Sequence, residues 1–206
     1  MNLLKLSVGM LAVASLGAQA NAQITNSAHD FSSYSWSGGE ICRPCHTPHN
    51  ANTAAGRLWN HTLSTATYTL FEGEAGDSDD LDRESRLCLS CHDGTVALDS
   101  FGGMTGTNFI PGSANIGTDL TNDHPIGRDA IYPTSTSTRF NPQNASHQVV
   151  STWGSLRLKA WENDAGVEEY VVGCRTCHNV HNDGNFEHML YFSNKASHIC
   201  LTCHIK

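Results

Sequence analysis

The sequence predicts a chain that is mostly coil, with short helices at four cysteine motifs, a few short strands, and a core supplied largely by prosthetic groups. Three observations carry this expectation. All eight cysteines fall into four C-x-x-C-H units: Cys42/Cys45/His46, Cys88/Cys91/His92, Cys174/Cys177/His178 and Cys200/Cys203/His204. The long stretch Asp93 to Gly173, between the second and third units, is rich in Gly, Ser, Thr and Asn and has little sustained helical period. The residues beyond the first 22 number about 46 per unit, too few to build an ordinary side-chain core around each.

C-x-x-C-H is the signature of covalent haem attachment, in which two thiols bond the porphyrin vinyl groups and the histidine ligates iron. Zinc sites and thioredoxin-like redox motifs also pair cysteines, but neither has a reason to place a histidine after every second one. No cysteine is left over for a disulfide. The fold class expected is therefore a multihaem cytochrome c with four covalently bound haem c groups forming the core.

Taken in order, Met1 to Ala22 carries one lysine, an apolar run from Leu6 to Ala18 and the small-x-small end Ala20-Asn21-Ala22, which reads as a cleavable secretory signal. The apolar run is shorter than the roughly 20 residues a membrane span needs. An exported chain beginning at Gln23, with no membrane span, is expected. Without Lys5, 11 basic side chains face 20 acidic ones, and haem propionates add more negative charge, so nucleic acid is excluded as a partner.

Within 23–206 the units alternate in wording: CRPCHTPHN, LCLSCH, CRTCHNVHN, ICLTCH. The pattern is A-B-A-B, with modules at 23–92 and 174–206 around a loop-rich insert at 93–173. Ser78, followed by acidic residues through Glu84, suits the N-cap and first turn of a helix leading to Leu87. In the insert, Ser155–Trp161 and Val167–Gly173 alternate as a hairpin would about Asn163-Asp164-Ala165-Gly166.

The repeated nonamer, at Cys42–Asn50 and Cys174–Asn182, carries a second histidine three residues after the first. His46 is committed to its own haem by the C-x-x-C-H turn, and His49 cannot reach the opposite face of that haem without the chain wrapping round. Pro48 drives Thr47 out of helical geometry and turns the backbone away. His49 is accordingly assigned to the haem of the next unit, at Cys88/Cys91, and His181 to the haem at Cys200/Cys203.

Methionine is the other common second axial ligand, but beyond residue 22 only Met104 and Met189 are present, against eight histidines outside the motifs. The haems at Cys42/Cys45 and Cys174/Cys177 then draw on His29, His61, His124 and His147. His124 stands in NDHPIG, where Pro125 makes a rigid perch. His188 and His198 are read as ordinary residues.

HDFS at His29–Ser32, CRPCHTPHNA, LWNHT at Leu58–Thr62, CLSCHDG, DHPIG and CLTCHIK together resemble the doubled C-x-x-C-H multihaem cytochromes, in particular the OmcE-like tetrahaem cytochromes that polymerise into extracellular nanowires. The resemblance implies low-spin bis-histidine haems in close-stacked pairs, little regular secondary structure, and one distal ligand lent by a neighbouring subunit. That donation is carried onto His29, in an N-terminal arm with no evident core of its own.

Head-to-tail contact that does not close gives filaments. The function expected is electron transfer along an extracellular or cell-surface filament, with copies of itself, other redox cytochromes or an extracellular acceptor as partners. A monomeric periplasmic shuttle and a multihaem reductase are the alternatives. Nothing in the sequence marks an open axial position or a convergent polar pocket, so catalysis is not expected.

Overall fold

The computed structural model describes residues 23–206, so the segment expected to be a secretory signal, 1–22, lies outside the described residues. Regular structure is sparse. Helix α1 spans Arg83–His92, α2 Cys174–Cys177 and α3 His198–Cys203, and six short strands form three separate two-stranded antiparallel sheets. Strand β1 (Tyr68–Thr69) pairs with β2 (Ala75–Gly76), β3 (Gln148–Val150) with β4 (Ser155–Arg157), and β5 (Lys159–Glu162) with β6 (Glu168–Val171). Among the described residues no helix is long and apolar enough to cross a membrane.

The hairpin expected in the insert forms as β5–β6, with Asn163 organising the turn by accepting from Ala165 N and Val167 N at 3.0 Å each. Its first strand is shorter than the sequence suggested. Ser155–Arg157 leaves to pair with β3, so Leu156 and Val149 meet as a buried cross-strand pair.

Helix α1 begins later than Ser78. A one-turn 3-10 helix at Ser78–Asp80 comes first, capped by Asp77. Asp82 is then the N-cap of α1, accepting from Ser85 N at 3.1 Å and from the Ser85 hydroxyl. The first cysteine unit departs from the expectation of a helix at every motif. Cys42–His46 makes hydrogen-bonded turns, with Cys45 N and His46 N both donating to Cys42 O. The CRTC segment has a cap pair that CRPC lacks, since the Thr176 hydroxyl accepts from Gly173 N at 3.0 Å.

Helices α1 and α2 meet at their N-termini. Asp82 is 1% exposed, and the Ser85 hydroxyl bound to it also accepts from Cys174 N at 3.0 Å. Gly173 makes this approach possible, because a Cβ there would stand 2.2 Å from a carboxylate oxygen of Asp82. The third cysteine unit is thus docked directly on the second, across the whole length of the insert.

Apolar packing is divided between two small clusters. One joins Tyr68, Leu70, Leu81, Leu89 and Leu120; the other joins Tyr132, Val149 and Leu158. For a chain of this length these are modest cores. The insert contributes to both and also caps the chain end: Asn141 Nδ2 donates to Leu201 O and Thr202 O, and Ile205 N donates to Arg139 O.

Candidate haem-attachment sites

Each C-x-x-C-H unit closes as a turn or helix; the histidine follows it in the first, third and fourth units and is the last residue of α1 in the second. In the first three units the proximal ring is oriented by a carbonyl: His46 Nδ1 lies 2.9 Å from Arg57 O, His92 Nδ1 2.7 Å from Ala114 O, and His178 Nδ1 2.9 Å from His188 O. A carbonyl acceptor makes Nδ1 the donor and leaves Nε2 with its lone pair outward, the tautomer a metal ligand needs. For His204 the neighbouring chain is Phe140, whose ring centroid lies 4.9 Å away.

Three of these rings face a second histidine from elsewhere in the chain. The His46 and His181 centroids are 6.3 Å apart, His92 and His29 6.1 Å, and His204 and His124 6.3 Å. An ion held about 2 Å from one nitrogen of each ring separates the centroids by roughly 6 Å. That separation leaves room for an ion between the rings, and it is also the spacing of plain aromatic contacts such as His46–Trp59 at 6.1 Å. Among the described residues, no three or more His, Cys, Asp or Glu side chains converge as they would around a bare metal ion.

This placement changes three expectations. His181 faces His46, in the first unit, and not His204 in the fourth. His204 is instead met by His124, which the insert carries back to the C-terminus. His29 lies within its own chain against His92, the partner expected for His49. The arm is not loose: Asn182 Nδ2 reaches Gln23 O at 3.4 Å, and Phe31 and Trp36 connect it to Phe101. Burial, then the neighbouring His92, pulls the His29 pKa down to about 4, which keeps the ring neutral. His49 is exposed, and among the described residues His178 has no facing ring at the axial-pair separation.

The other candidates have different occupations. His61 is 2% exposed, with Nδ1 2.8 Å from Thr62 O and Nε2 3.0 Å from Ala97 O and 3.5 Å from Cys91 Sγ, so its ring is buried beside the second unit. His147 stacks flat on Tyr170 at 3.3 Å, and His198 on Trp153 at 4.8 Å. His188 contributes the carbonyl that orients His178.

The thiols come together in sequence order. Burial raises the Cys45 pKa to about 11, and burial with Cys45 alongside raises Cys91 to about 12. Cys88 and Cys174 share a hydrogen bond at the α1–α2 contact. Burial, with Cys203 as neighbour, pushes Cys177 to about 12. Neighbouring thiols thus link the first unit to the second, the second to the third and the third to the fourth, and Cys42 and Cys200 are exposed. The donor set fits haem c: paired thiols for the vinyl groups, and an imidazole beside each pair, oriented by a carbonyl in the first three units.

Among known families, residues 168–206 match the family model described as Doubled CXXCH motif, which covers the third and fourth units and is consistent with a multihaem c-type cytochrome. No curated protein matches the chain. The matched motif implies covalently bound haem c.

Proposed function

We propose that this chain is a tetrahaem c-type cytochrome that transfers electrons through a row of bis-histidine haems. The observation that supports it most is the set of facing histidine pairs, each with one member fixed by a C-x-x-C-H turn. In this reading Cys42, Cys45, Cys88, Cys91, Cys174, Cys177, Cys200 and Cys203 hold four haems, and His46, His92, His178 and His204 are the proximal ligands. Haem iron, when bound, supplies one-electron redox chemistry.

The chain's own contribution is ligation, spacing and exclusion. His181, His29 and His124 cap the haems of the first, second and fourth units. His49 is exposed and faces no ring, and it is the candidate for the third only by reciprocity with His181, which stands at the same offset from His178. Where both axial positions are filled by imidazole, that iron has no position for a substrate, and the haems complete a core that the small apolar clusters only begin.

The exposed ends of the row favour a second, finer reading. Because Cys42 and Cys200 lie at the surface, an electron can enter at the first haem and leave at the fourth, and copies set head to tail would extend the row into a filament outside the cell. Contact between the end haems of successive copies would carry this assembly. The alternative is a monomeric shuttle in the periplasm.

Visible and EPR spectra of the purified protein test the first reading, with four low-spin haems expected. A methionine-to-iron charge-transfer band in near-infrared magnetic circular dichroism, or a high-spin haem in the wild type, would count against it. Electron microscopy of the secreted fraction separates filament from shuttle.

A further inference from the structure

Four rings of the N-terminal arm are in serial contact. Centroid to centroid, Tyr34 lies 5.2 Å from Trp36, Trp36 5.3 Å from Phe31, and Phe31 6.2 Å from His29. These are the separations of directly packed aromatic pairs. His29 in turn faces His92 at 6.1 Å, the contact that assigns it to the haem of the second unit. Tyr34 is 50% exposed, while Trp36, Phe31 and His29 are half-buried. The series therefore runs without a gap from a phenol at the surface to a candidate axial ligand.

Packing explains part of this cluster. Phe31 also meets Tyr34 at 6.0 Å, and Trp36 meets Phe101 at 6.1 Å, which ties the arm to the chain beyond the second unit. An anchor alone, however, needs only bulk, and phenylalanine would supply it. Here the rings that give up an electron most readily, phenol and indole, stand on the outer side, and Phe31 and the imidazole stand on the inner side. On the other flank of Trp36, the Arg43 guanidinium lies 5.6 Å from the centre of Phe101, a fixed cation that opposes the spread of positive charge in that direction.

Other aromatics near the candidate ligands lack this order. Trp59 lies 6.1 Å from His46, and Tyr132 reaches His204 through Phe140 at 5.7 and 4.9 Å, but Trp59 and Tyr132 are both buried. Exposed Trp153 stacks on His198, which faces no proximal ring. Among the described residues, Tyr34 is the one exposed tyrosine or tryptophan joined by ring contacts to a candidate axial histidine.

We propose that Tyr34 and Trp36 form a one-electron relay that carries oxidising equivalents from the surface to the haem of the second unit, protecting the chain from oxygen-centred radicals in the surrounding medium. The inference rests on the tetrahaem reading and on His29 as the second axial ligand of that haem. Tyr34 gives its phenolic hydrogen atom to the radical, which leaves as the hydroxyl product. Trp36 then passes an electron to the Tyr34 oxygen, which takes a proton from water. The vacancy on the indole is filled through Phe31 and His29, and one haem goes from ferrous to ferric for each radical quenched.

The test is Trp36→Phe in the haem-loaded, reduced protein, a change that keeps a ring against Tyr34, Phe31 and Phe101 but removes the oxidisable indole. Thermal melts, the haem count by pyridine haemochrome and all four potentials should match the wild type. Pulse radiolysis with azide radical generates the phenoxyl, and the Tyr34 share is the signal that Tyr34→Phe removes. In the wild type that signal should decay in step with a loss of ferrous haem absorption, at a rate independent of protein concentration. In Trp36→Phe the phenoxyl should persist and the matched loss of ferrous absorption should disappear. Trp36→Tyr should restore both.

Equal decay in Trp36→Phe and the wild type would overturn the relay, because phenylalanine preserves only the packing. So would a wild-type phenoxyl that decays with no loss of ferrous haem. Four low-spin haems in either case would leave the cytochrome reading standing. A wild type with no haem at Cys88 and Cys91, or a second haem that keeps its spin state in His29→Ala, would instead overturn the reading on which the relay rests.

Discussion

The two nonamers, Cys42–Asn50 and Cys174–Asn182, share six letters, but their structural likeness runs further than their wording. After each, the chain returns along the proximal histidine: His46 bridges to Trp59 and His178 to Leu190. Thr47 N donates to Leu58 O at 2.9 Å, and Asn179 N to Met189 O at 2.6 Å. Both returning strands enter through two successive residues at positive φ, Arg57-Leu58 and His188-Met189, all four near 55°. The letters of these return segments have little in common, so the repeat there is one of backbone, set by the need to present a carbonyl to Nδ1.

The units differ in where they sit. The first is uncapped and surface-lying, with Cys42 and His49 exposed; the second is capped by Gly173 and Thr176 and docked on α1, with Cys174 against Cys88. One word thus serves as an end of the row in one place and as a middle in the other. The chemistry is repeated while the burial is not, because burial depends on what the flanking chain packs against.

The sharpest way to break the comparison is at the second histidines. His181→Ala should turn the haem of the first unit high-spin and leave the haem at Cys174/Cys177 alone, while His49→Ala should do the reverse. Resonance Raman or EPR would read one haem in four changing spin state in each variant. If both variants altered the haem on their own motif, the crossed pairing of His46 with His181 would be wrong.

Next in size is the docking of the second nonamer. Asp82→Ala removes the α1 cap and the acceptor for Ser85, and should cost about 1–3 kcal/mol in equilibrium unfolding. Gly173→Ala pushes a methyl group onto that same carboxylate and should cost a similar amount, roughly 1–3 kcal/mol. No equivalent pair anchors the first nonamer, so changes at Glu40 or Ile41 should have much smaller effects.

The smallest effect concerns the shared final asparagine. Asn50 and Asn182 both take positive φ, 57° and 55°, a region that asparagine tolerates better than most residues. Alanine at either should cost about 1 kcal/mol. Asn182, 5% exposed and bonded to Asn185, should lose more than exposed Asn50. Glycine at Asn50 should be nearly neutral in thermal melts.

Much of the attachment chemistry was legible in the sequence because it is local. Cysteines at i and i+3 with histidine at i+4 need only one turn of backbone, and the four units read directly as four such turns. The shared asparagine was also visible, though its reason, a left-handed residue ending the turn, appears only in the dihedral angles. The β5–β6 hairpin was readable from alternation and from its Asn-Asp-Ala-Gly turn. The strand β4 was not, because SLRLKAW alternates without a break and only its pairing with β3 divides it.

What lay beyond the sequence is what joins distant residues. His46 and His181 are 135 positions apart, and His124 and His204 are 80. No spacing rule connects them, and a rule of nearest neighbours assigned His49 and His181 to the units that follow them. In the structure a ring near His46 is that of His181, and Asp82, Ser85 and Gly173 hold α1 against α2, which brings the third unit across the insert onto the second. The sequence by itself determined how many thiol pairs and imidazoles the chain offers; tertiary packing decided which rings lie near one another, since residues 80 or more positions apart meet only through long-range contact.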